Sequence, residues 1–364
     1  MSETLAPLPE DFRVLLERLV SIGGPTGEER ARADFIAGWL ERAGGGKRVW
    51  RDGTGNVWLD LSGGSGGCRL LDAHIDTVFS DGSPPLRKEG ETWHAPGILD
   101  NTAACALLLV LARELLRDAE KRPLILSFTV GEEGEGDLCG IRRLTETLGE
   151  RLRDAVILES GLNRCTHEAV GSLRYRIEFR TPGGHSWGDF GKTSALHEMA
   201  RLVGVFRDLL PWRPGRTTMN VGSIHGGATI NTIAPRAVGT FDFRSVRPED
   251  LDRIREAIPR LVGEFEESAT ELSGEATIIG RRPAGSIPEN HPLVREAVSH
   301  QKTLGIKPDF RAGSTNANAT LAAGIPSVCI GVAEGGGTHT REEFLRLDSV
   351  PAGWTYLRRF ARAG

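Results

Sequence analysis

Five polar clusters in this chain carry side chains able to do chemistry. They are His74-Ile75-Asp76, Asp100, Glu132-Glu133, Glu159 and His339. Each lies at or just after a short apolar run, where open α/β sheets place their ligands. Two imidazoles and three carboxylates are the nitrogen and hard oxygen donors that zinc prefers. Five such ligands exceed what one catalytic ion with an open position uses. They suit two divalent ions sharing one carboxylate and a water. Taken singly, each residue has a plainer reading: His74 as a core histidine, Asp100 as a helix N-cap, the Glu pair as a solvated turn, His339 as a loop residue. Asp76 stands two residues beyond His74, so both side chains share one face of a strand end. Asp76 can therefore orient the imidazole from behind. Adjacent carboxylates straight after an apolar strand repel each other and call for a cation.

The elements that must position these residues are legible from periodicity. Apolar residues recur at helical spacing over 11–21 and 28–43, separated by a Gly-Pro-Thr-Gly break with Thr26 as the expected N-cap. Short apolar runs at 57–61, 69–72, 124–130 and 155–158 alternate with helical stretches at 102–117 and 139–149. Buried-type strands alternating with helices imply a largely parallel α/β sheet. The pattern then changes. Residues 172–180 alternate apolar and polar like a half-exposed strand. A helix at 194–210, strands near 217–224 and 236–244, a helix at 248–268 and a strand near 275–280 follow. That order, β-α-β-β-α-β, reads as a ferredoxin-like module. Residues 281–288 form a return linker, and α/β grammar resumes with a helix at 291–304, a strand at 327–332 and a helix at 348–362. The expected domains are a first catalytic part at 1–166, an inserted module at 167–281, and a second catalytic part at 282–364.

Composition fits this reading. The chain has 364 residues, of which 39% are hydrophobic and 26% charged, a globular mixture. A net charge of −4 without a basic stretch argues against a nucleic-acid partner. No apolar run approaches the ~20 residues of a membrane helix, and the N-terminus lacks signal-peptide regions. The five scattered cysteines form no CxxC pair, which suits a reducing, cytoplasmic setting.

The motifs HIDT, APGILDN, TVGEEGEGD, LESG and GGGTHTREE resemble, in order and spacing, the co-catalytic zinc peptidase and deacylase family of clan MH. That family includes peptidase T, carnosinase-type dipeptidases, glutamate carboxypeptidases, aminoacylases and acetylornithine deacetylase. The resemblance implies an α/β zinc-peptidase catalytic domain with a mixed, mainly parallel sheet, interrupted by a ferredoxin-like α+β lid. It implies that Asp100 bridges two metals, that His74 and Glu159 complete one site, and that Glu133 and His339 complete the other. It makes Glu132 the general base and the Asp100–Asn101 peptide bond cis. The ions would be zinc, with cobalt or manganese as alternatives. In the lid, His185 of GGHSWGDFG resembles a histidine that stabilises the oxyanion in the partner subunit's site, which implies a homodimer. Asn231 and Arg244 match positions that bind substrate polar groups, often a carboxylate. Ser314 and Thr315, in GSTNAN, resemble a loop lining the substrate site. The family often has Asp where Asn316 stands, a lost charge that bears on recognition of a substrate amine. The substrate would be a short peptide or, in the alternative, an N-acyl amino acid. His94, His167, His197, His225, His291 and His300 match no ligand position.

Overall fold

The computed structural model describes residues 5–79, 85–118, 122–209 and 216–362. The chain divides into two compact units, Met1–Ala169 with Ser286–Gly364, and Val170–Gly285.

The first unit is built on a seven-stranded sheet. Its spatial order is Val49–Arg51, Val57–Asp60, Leu124–Thr129, Cys68–His74, Leu152–Glu159, Ser327–Gly331 and Cys165–Thr166. The four strands from Leu124–Thr129 to Ser327–Gly331 run parallel. The flanking strands are antiparallel. The parallel strands are buried almost end to end, because helices cover both faces. Side chains alternate between two cores. Leu71, Leu126, Val156 and Val328 join the helices Phe12–Val20, Arg30–Arg42, Ala103–Leu116 and Val350–Arg362. Leu70, Ile125, Ile157 and Cys329 join Cys139–Leu148 and the short helix Ala317–Ala322 on the opposite face. Parallel pairing also brings the C-terminal ends together: His74 pairs with Thr129, and Gly331 with Glu159. One sheet edge thus receives His74, Glu159 and the turn after Thr129. A small antiparallel sheet of Arg87–Glu89, Thr92–His94, Glu334–Gly336 and Phe344–Arg346 was not expected, since its three-residue strands are too short to show alternation.

The second unit is an antiparallel sheet in the order Thr217–Gly226, Arg236–Ser245, Gly171–Arg180, Ser273–Arg282, with the helices Ala195–Leu209 and Pro248–Ser268 packed on one face. This is the ferredoxin-like order. The unit begins and ends three or four residues later than 167–281, because Arg282 still pairs with Ser172. Position 210 of the expected helix lies outside the described residues. Thr26 is not a helix N-cap: the second helix starts at Arg30, and the Thr26 hydroxyl is used elsewhere. Among the described residues, no helix is long and apolar enough to cross a membrane.

Close packing makes one glycine testable. A Cβ on Gly353 would lie 1.7 Å from the Val332 carbonyl oxygen, so the last helix docks on the sheet through bare backbone. Gly353→Ala should cost about 1–3 kcal/mol of unfolding free energy or more. Gly263→Ala, in the helix Pro248–Ser268 with open space around it, should be neutral or stabilising by about 0.5–1 kcal/mol. Urea denaturation of both variants checks the contrast.

Candidate active site

His74 ends its strand and is buried. Its Nδ1 lies 3.1 Å from the Asp76 carbonyl and 3.3 Å from Asp76 Oδ1. Its Nε2 lies 3.1 Å from Asp100 Oδ1 and 3.9 Å from Glu159 Oε1. His339 sits in the turn between Glu334–Gly336 and Phe344–Arg346, at a φ of 63°. Its Nε2 is 2.9 Å from Glu133 Oε1 and 3.4 Å from Asp100 Oδ2. The two oxygens of Asp100 therefore face two different imidazoles. Among the described residues, three sets of ligand atoms each fall within 4.8 Å: His74, Asp100 and Glu159; Asp100, Glu133 and His339; His74, Glu132 and Glu133. The donors are of the hard nitrogen and oxygen kind, so two divalent ions fit these residues.

Asp76 does more than orient His74. It is fully buried, and its Oδ1 accepts the Glu132 N–H at 3.0 Å while Oδ2 accepts the Glu133 N–H at 2.8 Å. Oδ2 also accepts the Thr26 hydroxyl at 2.9 Å. One carboxylate thus holds both the imidazole and the turn that presents the two glutamates. The Asp100–Asn101 bond is cis. Asn101 Nδ2 donates to the Leu158 carbonyl at 2.7 Å, tying this turn to the strand that ends in Glu159.

Charge crowding shapes the protonation of the site. Burial, reinforced by the charge of Asp100, pushes the Glu159 carboxyl up to about 7. Burial alone would raise Asp100, but hydrogen bonds from His339 and His74 hold it well below the carboxylate range. Burial would lower His74, yet bonds to Asp100 and Asp76 keep it well above its ordinary value. Bonds to Asp100 and Glu133 raise His339 to about 10. Both imidazoles hold their protons against a wall of carboxylates, and a metal ion would displace those protons.

In the 313–318 segment, Asn316 turns inward to the sheet. Asn316 is buried, and its amide donates to Asp72 Oδ2 and to Thr129 Oγ1, both at 2.8 Å. It supports the strand below His74 and is not a surface missing a charge toward substrate. Asp72 also accepts the Ser127 hydroxyl at 2.6 Å. Thr315 is buried at the start of Ala317–Ala322, where its hydroxyl accepts the Ala317 N–H. Ser314 is half-buried beside it.

The second unit holds His185, Asn231 and Arg244. Gly184–His185 pairs with Thr232–Ile233, so His185 and Asn231 lie on adjoining loops. His185 is exposed, and its Nδ1 accepts the N–H groups of Trp187 and Gly188 at 3.2 Å. That pattern leaves the proton of the neutral ring on Nε2. The Asn231 carboxamide accepts the Thr229 hydroxyl, and exposed Arg244 pairs with Asp242 at 2.7 Å.

The model of peptidase family M20/M25/M40 matches residues 70–363. The chain belongs to that family. It is a hydrolase of the metal-dependent peptidase and amidohydrolase kind, the class of enzymes that acts on peptides or acyl amino acids. It is 27% identical over 353 residues to a succinyl-diaminopimelate desuccinylase of Corynebacterium glutamicum, covering 93% of this chain and 92% of the relative. It is 25% identical over 367 residues to an acetylornithine deacetylase of Salmonella arizonae, covering 95% and 94%. A tripeptidase structure from Staphylococcus aureus superposes with a TM-score of 0.81 at 20% identity, over 97% of this chain and 98% of the other.

Sequence reasoning did not single out Thr26, Asp72 or Glu343 as supports of the site. Glu343 stood in the quoted GGGTHTREE, but next to Glu342 nothing distinguished it. The Asp72–Asn316 contact makes a test. Asn316→Asp puts two buried carboxylates face to face and should destabilise the protein by about 1–3 kcal/mol or more. Adding Asp72→Asn restores a donor to the pair and should recover at least half of the loss in a double-mutant denaturation cycle.

Proposed function

We propose that this chain hydrolyses the amide bonds of short peptides, as a di- or tripeptidase, at a centre of two divalent ions. His74 and Glu159 would hold one ion, Glu133 and His339 the other, with Asp100 shared between them. The observation that carries this reading is Asp100, whose two oxygens lie 3.1 and 3.4 Å from the Nε2 atoms of different histidines. The donor set suits zinc, with cobalt or manganese as alternatives. Two such ions, when bound, supply Lewis acidity and lower the pKa of water.

The chain's own residues move the protons. Glu132 is buried beside His74 and Glu133, on a turn whose N–H is fixed by Asp76. We assign it as the base that takes the proton of the attacking water and returns it to the leaving nitrogen. Asp76 positions both the base and His74. His185, with its proton on Nε2, is suited to donate to the oxyanion of the tetrahedral intermediate. In this reading it acts across a homodimer built through the second unit. Arg244, with its planar fork, and Asn231 are our candidates for a substrate carboxylate. Ser314 and Thr315, in the first unit, are further candidates for substrate binding.

A second reading, an N-acyl amino acid deacylase, uses the same centre and base. It is favoured by the names of the sequence relatives, a desuccinylase and a deacetylase, which align along nearly their whole length. The stretch GGHSWGDFG and the fold of the tripeptidase favour the peptide reading.

Metal-loaded protein incubated with free-amine di- and tripeptides and with N-acetyl and N-succinyl amino acids, read by mass spectrometry, decides between them. Cleavage of the free-amine peptides alone is expected; cleavage of acyl amino acids alone would reject the peptide reading. Glu132→Gln should keep both ions and lose about 10²–10⁴-fold in kcat. Near-normal turnover of the loaded variant would sink the assignment of the base. Mixed His185→Ala and Glu132→Gln subunits should regain activity, because a heterodimer has one site free of both defects. Subunit exchange without recovery would reject action across the dimer.

A further inference from the structure

Glu343 lies four residues beyond His339, immediately before the strand Phe344–Arg346, and is almost wholly buried. Its carboxylate does not point at the ligand cluster. Oε1 accepts the backbone N–H of Leu99 at 2.8 Å and of Asp100 at 2.9 Å, and Oε2 accepts the N–H of Gly97 at 2.8 Å. Among the described residues no arginine, lysine or histidine pairs with it. The turn that meets it is shaped for an anion. Gly97 has a φ of 70°, and a Cβ there would lie 2.3 Å from Thr77 Cγ2, so only glycine keeps these three N–H groups convergent. The Glu343 carbonyl accepts the N–H of Ala95, closing the contact from the other side.

A buried carboxylate without a cation is costly, and three charge-assisted bonds offset that cost only while the turn keeps this shape. The two ends of the contact are a turn carrying Asp100 and a loop carrying His339, from opposite ends of the chain. We propose that Glu343 is a positioning residue that locks the Asp100 turn to the His339 loop and so sets the spacing of the two-ion centre. The proposal rests on the two-ion reading above. It assigns Glu343 no contact with ions or substrate.

The test is metal binding by the full-length chain, stripped with a chelator and titrated with Zn²⁺ against a chromogenic competitor. Glu343→Gln keeps the shape but sets an NH₂ group against one of the three N–H donors. Gly97→Ala keeps the carboxylate but disturbs the donors. In each, the weaker of the two ions should bind about 10–100-fold less tightly, as loss of a supporting partner does at other metal sites. The visible absorption of the cobalt-loaded protein should change with it. A purely architectural role would lower the melting temperature of the metal-free protein yet leave both affinities and the cobalt spectrum as in the wild type. That result, in whichever variant folds, overturns the proposal. A wild-type chain that binds no ions would overturn the two-ion reading and this inference together.

Discussion

Five carboxylates, those of Asp76, Asp100, Glu132, Glu133 and Glu159, converge on one edge of a buried sheet, and their mutual repulsion is the constraint around which the first unit is arranged. At 4 Å and an effective dielectric of 20, each like-charged pair costs about 4 kcal/mol. The structure shows the strain in Glu159, whose carboxyl is pushed up to about 7 by burial and by the charge of Asp100. It shows the compensation in His74 and His339, which hold their protons far above the ordinary range against the same acids. An arrangement of this kind favours positive charge among the ligands, whether from protons or from metal ions.

Peptide N–H groups supply the second half of the compensation. Asp76 is fully buried and accepts the N–H groups of Glu132 and Glu133 and the hydroxyl of Thr26. The same bonds aim the two glutamates. In the proposed function, the division between ligand and base begins in the backbone: neighbouring N–H groups bind one carboxylate, and the side chains they carry would do different work. Parallel strands make this possible by ending together. His74, Thr129, Glu159 and Gly331 share an edge through register alone, without long loops to place them.

What the sequence made legible follows from this geometry. Side chains that leave a strand end carry a signature, an apolar run followed by His, Asp or Glu, which His74, Glu132, Glu133 and Glu159 show, whereas His339 stands out only as a histidine in a glycine-rich loop. The ferredoxin-like module was legible because its strands alternate and its helices are long. Supports that act through the backbone or through the sheet interior carry no such mark. Asn316 reads as a polar loop residue, and only the fold places its amide against Asp72 and Thr129, some 190 to 240 positions away. Thr26 reads as a helix cap because it follows a glycine-proline break, yet tertiary contact with Asp76 takes its hydroxyl. The three-residue strands that carry the His339 loop are below the length at which periodicity exists.

In the proposed function, the chemistry of amide cleavage and the choice of substrate belong to different kinds of structure. His74 and Glu159 stand on buried strand ends and Glu132 and Glu133 on the buried turn after Thr129, while Asp100 and His339 are carried by turns. His185, Asn231 and Arg244 stand on exposed loops and a sheet edge of a separate unit, where exchange of a side chain costs the fold little. His185 is the exception within that set. Its Nδ1 accepts two backbone N–H groups, so its loop leaves the proton of the neutral ring on Nε2. Arg244 pairs with Asp242, an acid whose place a substrate carboxylate could take, and the Asn231 carboxamide oxygen accepts the Thr229 hydroxyl. In the proposed function, a peptide and an acyl amino acid would meet the same base.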